Sequence, residues 1–160
     1  LTRYSRNELK HNYIEYSFGN ILLIKKMADM TLTLFHDIAD GMHNFHSVVQ
    51  PLVNPVNGQI IGGEVLTRWR YEDQEISPEI FIPIIEKENL IVETGRWVFA
   101  QTLSLFQQVS FTCPDLFLTF NVSYHQLIHD DLVTYMEQLL SIAAIHKHHL
   151  IAELTESANT

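Results

Sequence analysis

Apolar residues along this chain change their spacing near residue 48, from a helical period to short runs bounded by turn residues. Between Lys26 and Phe45 they recur every three or four positions, which predicts an amphipathic helix. The pattern leaves open whether this helix covers the following domain or forms a signalling or dimer contact. Residues 1–20 are polar and aromatic without clear periodicity, and we interpret them as the end of a linker or of an upstream domain.

The first strand-like runs predict a β-hairpin. Apolar residues at Val48–Val53 and at Gln59–Ile61 flank Asn57-Gly58, a dipeptide that is typical of tight hairpin turns. The second strand continues beyond this turn, and side chains alternate between the two faces of a strand. Glu64 and Arg68 should therefore lie on the same face.

Helices and strands alternate through the rest of the chain. Ser77-Pro78 begins a helix with a hydroxyl N-cap and a proline at the first helical position, and Pro83 predicts a kink or a restart. Gly95-Arg96-Trp97 opens the next helix. The remaining predicted elements are a buried strand at Leu116–Ser123, a helix through Leu132–Ala143 and a last strand at Leu150–Ser157. This alternation implies βα units and a parallel sheet, so the predicted fold class is α/β.

Composition narrows the class of protein. A chain of 160 residues with 46% hydrophobic residues can form one ordinary domain with a substantial core. The formal net charge of -9 argues against binding to a nucleic acid polymer or to an anionic membrane surface. Cys113 is the single cysteine, which excludes an internal disulfide and fits a reducing, cytoplasmic compartment. The sequence shows no signal peptide or membrane span.

Polar side chains follow each of three predicted strands. They are Glu64 with Arg68, Asn121 with Ser123, and Glu153 with Glu156. The carboxyl ends of parallel strands lie together, and carboxylate and carboxamide oxygens suit Mg²⁺ or Mn²⁺ rather than zinc. An arginine beside a metal-binding carboxylate suits a phosphate ester. Structural alternatives remain for each residue: a half-buried ion pair, a turn cap, or a solvated glutamate.

Six segments occur in the order and approximate spacing of a known family. They are Gln50–Val53, Gly63–Arg70, Ser77–Pro83, Gly95–Val98, Phe120–Ser123 and Glu153–Ser157. From about Val48 to Ser157 the chain thus resembles the EAL domain, the bacterial cyclic-di-GMP phosphodiesterase. One departure is Val65, where the name-giving tripeptide has alanine; the larger side chain lies on the face opposite Glu64.

The resemblance implies a modified (βα)8 TIM barrel that hydrolyses cyclic-di-GMP to linear pGpG with two Mg²⁺ or Mn²⁺ ions. It also implies roles for individual residues: Glu64, Asn121 and Glu153 as metal ligands and catalytic residues, Glu156 as a catalytic residue that steadies the loop after the next strand, Arg68 as a phosphate contact, and Gln50 as a substrate contact. Ions of this kind polarise the phosphodiester and activate water, so that positioning and charge stabilisation supply most of the catalysis.

The family also has an Asp-Asp-Phe-Gly-type loop, a lysine, a further glutamate and a glutamine, none of which lies within these 160 residues. A complete barrel takes about 250 residues. We therefore expect residues 48–160 to form about the first half of the barrel, after a linker and helical segment at residues 1–47. The chain alone is expected to be inactive.

The expected partners follow from this reading. The parent protein is expected to bind cyclic-di-GMP and to carry an upstream sensory or GGDEF-type domain, in the cytoplasm or as the cytoplasmic part of a membrane-anchored protein. An open half-barrel exposes a strand edge, which favours a homodimer or aggregation. The alternative function is a degenerate, non-catalytic EAL domain that acts as a cyclic-di-GMP receptor or a protein-interaction module.

Overall fold

The computed structural model describes residues 18–129 and 131–155. Five strands and five α-helices follow one another there: α1 Phe18–Ala39, β1 Phe45–Val53, β2 Ile60–Tyr71, β3 Gln74–Ile76, α2 Pro78–Lys87, α3 Ile91–Ser110, β4 Phe117–Ser123, α4 Tyr124–His129, α5 Leu132–Ala143 and β5 Leu150–Thr155. A short 3₁₀ helix, Lys147–His149, precedes β5. In the described ranges, no helix combines the length and the hydropathy that a membrane-spanning segment needs.

The strands form one mixed sheet in the order β1-β2-β4-β5, with β3 paired to β2. The pairs β2–β4 and β4–β5 are parallel, whereas β1 and β3 run antiparallel to β2. Helices α2 and α3 lie between β2 and β4 in the chain, and α4 and α5 lie between β4 and β5. These two crossovers confirm the predicted α/β class with parallel βα units.

The hairpin predicted at Asn57-Gly58 is confirmed, because β1 and β2 pair on either side of this turn. Gly58 has a φ of 71° there, a conformation that a glycine adopts without strain. A second hairpin, from β2 to β3, was not predicted. Its turn residues Glu72 and Asp73 have φ values of 47° and 60°, so the turn forms without the glycine or asparagine that would have signalled it. The pKa of the neighbouring Tyr71 phenol is raised by desolvation and then by the carboxylates of Glu72 and Asp29.

Helix α1 differs from the prediction at both ends. It extends from Phe18 to Ala39 and not from Lys26 to Phe45. It ends before Phe45 because the chain turns at Gly41 and Met42, which both have positive φ. Trp69 of β2 ties the helix to the sheet, since its indole Nε1 donates to Asp37 Oδ2 at 2.8 Å. The carboxyl-terminal half of α1 therefore packs on the sheet, while its first turns expose apolar residues: Ile21, Leu22, Leu23, Ile24 and Met27.

The two helices before β4 also refine the prediction. Helix α2 begins at Pro78 as predicted, but the Ser77 side chain makes no capping hydrogen bond. The helix continues through Pro83 to Lys87, so the predicted restart at Pro83 is wrong. Helix α3 begins at Ile91, four residues before the predicted start at Gly95, with the apolar Leu90 at its N-cap.

Two apolar clusters form the core on one side of the sheet. One joins α1, α2 and the β1–β2 hairpin, and it contains Met30, Leu34, Ile38, Met42, Phe45, Trp69, Phe81, Ile85 and Ile91. The other joins α3 and α5 to β2 and β4, and it contains Val65, Val98, Phe99, Leu103, Phe106, Leu118, Phe120, Val122 and Leu132. Val65 and Phe120 are register partners in the second cluster. Their sheet neighbours Glu64 and Asn121 consequently point to the opposite face.

Candidate functional site

Three of the predicted site residues lie on adjacent strands and on one face of the sheet. Glu64 of β2 is the register partner of Thr119, and Asn121 of β4 is the register partner of Glu153 on β5. Register partners share a face, and so do residues two apart in a strand. Glu64, Asn121 and Glu153 therefore form a row across β2, β4 and β5.

The first two members of this row are hydrogen-bonded. Asn121 Nδ2 donates to Glu64 Oε1 at 3.1 Å, although the two residues are 57 positions apart in the chain. Glu64 is half-buried, whereas Asn121 and Glu153 are exposed. Because the amide nitrogen of Asn121 is committed to Glu64, its carbonyl oxygen remains the acceptor that this side chain presents.

Strand β2 does not end at Glu64 and Arg68, as expected, but continues to Tyr71. The reason is that β1 and β3 pair with its last residues beyond the point where the β2–β4 ladder stops, at Val65 and Phe120. Glu64 therefore lies at the carboxyl edge of the parallel ladder, in the middle of its own strand.

Arg68 and Gln50 lie on the same face of the sheet as Glu64. Gln50 is the register partner of Glu64 on β1, and its side chain is exposed. Arg68 is half-buried, and its Nη1 donates to the carbonyl oxygen of Thr67 at 3.0 Å. Within residues 18–129 and 131–155, Arg68 and Glu64 do not form the ion pair that was the structural alternative. Glu156 lies outside the described residues.

The donor set of this row fits a hard divalent cation. Two carboxylates and a carboxamide oxygen on one face are the ligand types that Mg²⁺ and Mn²⁺ prefer. Nowhere in the described part of the chain do three His, Cys, Asp or Glu side chains come together as a metal site. By themselves the three side chains of the row have donor atoms for no more than part of a coordination sphere.

A cavity of about 380 Å³ adjoins this row, between β2, β4 and helices α2 and α3. Arg68 and Asn121 lie at it together with apolar residues such as Val65, Ile82 and Val98. Ser123, predicted among the polar groups that end its strand, also lines the cavity, together with Glu86 and Gln126, which sequence reasoning missed. Ser123 Oγ donates to Glu86 Oε1 at 2.6 Å.

Gln126 is 1% exposed and lies against Gly95 of α3, where a Cβ atom would overlap the glutamine side chain. Its Nε2 has no hydrogen-bond partner among the described residues. The glycine is the one local signal of this contact, but a glycine near a predicted helix start has several explanations. The residue that it accommodates follows 31 positions later, so the sequence alone did not reveal the pair.

Comparisons with known proteins agree with this architecture. The family profile of the EAL domain matches residues 35–160. The bifunctional diguanylate cyclase/cyclic di-GMP phosphodiesterase MucR of Pseudomonas aeruginosa is 33% identical over 134 residues, which cover 81% of this chain and 20% of MucR. The probable cyclic di-GMP phosphodiesterase PdeD of Escherichia coli is 47% identical over 64 residues, which cover 39% of this chain and 12% of PdeD.

A solved structure of the PaMucR phosphodiesterase in complex with c-di-GMP superposes with a TM-score of 0.69 at 32% identity. The superposition covers 78% of this chain and 52% of that structure. The chain thus spans about half of a solved EAL structure and a fifth or less of the two curated relatives. The matched profile and the shared fold show that this chain belongs to the EAL domain family.

Proposed function

We propose that the protein carrying this chain hydrolyses cyclic-di-GMP to linear pGpG, with Glu64, Asn121 and Glu153 as ligands of Mg²⁺ or Mn²⁺. The observation that carries the proposal is the row of these three oxygen-bearing side chains on one face of β2, β4 and β5. The similarity to MucR and PdeD, which are named as cyclic di-GMP phosphodiesterases, supports the same substrate.

The chemistry of the row follows from its charges. When bound, divalent ions polarise the phosphodiester and lower the pKa of the attacking water. Glu64 and Glu153 place two negative charges where such cations bind. The hydrogen bond from Asn121 Nδ2 to Glu64 Oε1 fixes both side chains, which reduces the reorganisation that ligand binding would require.

Arg68 and Gln50 are proposed to bind the substrate. One N–H group of the Arg68 guanidinium donates to Thr67, and the others can donate to phosphate oxygens as a planar fork. Gln50 reaches the same face from β1, beside Glu64. Glu156 is proposed to steady the loop that follows the next strand, which is a role inferred from its position in the family motif.

The proposal is tested by measuring cyclic-di-GMP hydrolysis with the full-length parent protein, with and without Mg²⁺ or Mn²⁺. We expect pGpG to form when the metal is present and formation to stop when a chelator removes it. The 160-residue chain alone is expected to show little hydrolysis, since its described residues provide only part of a metal site. Metal-independent hydrolysis, or none by the parent protein under any condition, would contradict the proposal.

A second candidate function is binding of cyclic-di-GMP without hydrolysis. Gln50 and Arg68 lie on the same face as Glu64 and can contact the nucleotide without a metal ion. If the parent protein lacks further metal ligands, Arg68 could still bind a phosphate group of the nucleotide. Calorimetry on the full-length parent separates the two functions, since a receptor would bind cyclic-di-GMP without forming pGpG.

The domain organisation is also a proposal. We place a linker and helical segment at residues 1–47, connected to an upstream sensory or GGDEF-type domain, and the site-bearing part of the EAL domain at residues 48–160. A cytoplasmic location fits the single, unpaired Cys113. A homodimer is proposed as one way to cover the exposed apolar residues of α1, and light scattering of the parent protein would measure it.

A further inference from the structure

The carboxyl end of β4 is held differently from the rest of that strand. Between Phe117 and Phe120, β4 pairs with β2 on one side, and from Leu118 it pairs with β5 on the other. The last three residues, Asn121 to Ser123, pair with β5 alone. Asn121 is thus the first residue past the β2–β4 ladder, so the backbone pairing between these strands does not fix its distance from Glu64.

Two side-chain hydrogen bonds replace the missing ladder on this side. One joins Asn121 to Glu64 at 3.1 Å. The other joins Ser123 Oγ to Glu86 Oε1 on α2 at 2.6 Å, which is short and typical of a hydroxyl that donates to a carboxylate. Ser123 is 6% exposed and Glu86 is half-buried, so this bond is partly shielded from water.

A purely local role for Ser123 is the main alternative. Its Oγ also accepts from the backbone N–H of His125 at 3.3 Å, which would make it a cap for the short helix α4. That contact is long, whereas the contact with Glu86 is short and joins two elements that are 37 residues apart. The tighter bond therefore anchors the end of β4 to α2, and the cap is secondary.

We propose that Glu86 and Ser123 are positioning residues for Asn121: their hydrogen bond fixes the end of β4 against α2 and so holds the Asn121 carboxamide at Glu64. The inference deepens the proposed function, since it assigns two residues that would keep a metal ligand in place. The effect of Ser123 on the position of the Asn121 side chain does not depend on catalysis and can be measured without substrate.

The test is NMR of the side-chain NH2 group of Asn121 in the full-length parent protein, assigned by its loss in Asn121→Asp. In Ser123→Ala we expect hydrogen exchange of this group to become about three- to tenfold faster, as expected when one net hydrogen bond is lost. Glu86→Gln should change it less, because the Ser123 hydroxyl can still donate to the amide oxygen. Ser104→Ala is the matched control on the exposed surface of α3 and should leave it unchanged.

A bond that is merely structural would give a different result. Ser123→Ala would then lower the melting temperature without changing the Asn121 exchange rate, and that outcome overturns the inference. If Ser123→Ala fails to fold, Glu86→Gln decides, since an unchanged Asn121 signal in that variant also overturns it. If the wild-type parent protein does not hydrolyse cyclic-di-GMP, the proposed function is wrong, but the NMR result still tests the role of Ser123. Failure of the proposed function and failure of this inference are therefore distinguishable.

Discussion

The two ends of the candidate metal row differ in how the protein holds them. Glu64 lies on β2, which pairs with β1 and β4 at this position, and it is hydrogen-bonded to Asn121 at the end of β4; both strands pack on the second apolar cluster. Glu153 lies on β5, which pairs with β4 alone in the described part of the sheet and is exposed along most of its length. Glu64 is therefore preorganised by ladders on both sides and by its hydrogen bond with Asn121, whereas Glu153 has one ladder, to β4, within the described residues.

The preorganised position of Glu64 predicts a large contribution of this residue to function. We expect Glu64→Gln in the parent protein to lower cyclic-di-GMP turnover by roughly 10³-fold or more, which is about 4 kcal/mol of transition-state stabilisation. The variant keeps the size of the side chain but removes its charge. Steady-state kinetics measure the effect, with Glu88→Gln as a control at an exposed carboxylate. Unchanged turnover in Glu64→Gln would show that the row is not the catalytic centre.

In the 160-residue chain, a matched pair of leucines compares the packing of β4 and β5 through stability. Leu118 of β4 is 2% exposed, and Leu154 of β5 is 55% exposed. Leu118→Ala should lower the free energy of unfolding by about 2–5 kcal/mol, because it leaves a cavity in the second cluster. Leu154→Ala should lower it by less than about 1 kcal/mol. Chemical denaturation measures both, and equal losses would mean that β5 is as well packed as β4.

Gly95 and Gln126 are in contact at the cavity that Asn121 also lines. Changes at this contact should alter the free energy of unfolding by less than Leu118→Ala does. Gly95→Ala should destabilise the protein by about 1–3 kcal/mol, since the new methyl group overlaps the buried glutamine. In a Gln126→Ala background the same change should stabilise it by about 0.5–1 kcal/mol, because alanine favours the helix more than glycine does. A double-mutant cycle measures the sign change. If Gly95→Ala destabilises the protein in both backgrounds, overlap with Gln126 is not the cause.

Sequence patterns predicted the parts of this fold that local chemistry specifies. The Asn57-Gly58 turn, the apolar strand that contains Phe120 and the alternation of helices with strands all follow from short-range preferences. Glu64, Asn121 and Glu153 could be grouped because residues at the same edge of parallel strands must be neighbours. The family motifs supplied their expected roles.

The remaining features depend on contacts that no local pattern encodes. The start of helix α3 at Ile91, four residues before the predicted start, had no sequence signal because its N-cap is the apolar Leu90 and not a polar residue. The hairpin turn at Glu72 and Asp73 has positive φ values without a glycine or an asparagine. The bond from Ser123 to Glu86 joins residues that are 37 apart, and such a pairing becomes visible only once the helices are placed.

The most direct test of the metal row is a crystal structure of the parent protein grown with Mn²⁺, with the ion located by its anomalous scattering. We expect an anomalous peak within bonding distance of carboxylate oxygens of Glu64 and Glu153 and of the Asn121 carbonyl oxygen. The Asn121 Nδ2 to Glu64 hydrogen bond should be retained or shortened beside it. A peak at another site, with these three side chains free of metal, would contradict the proposed metal site.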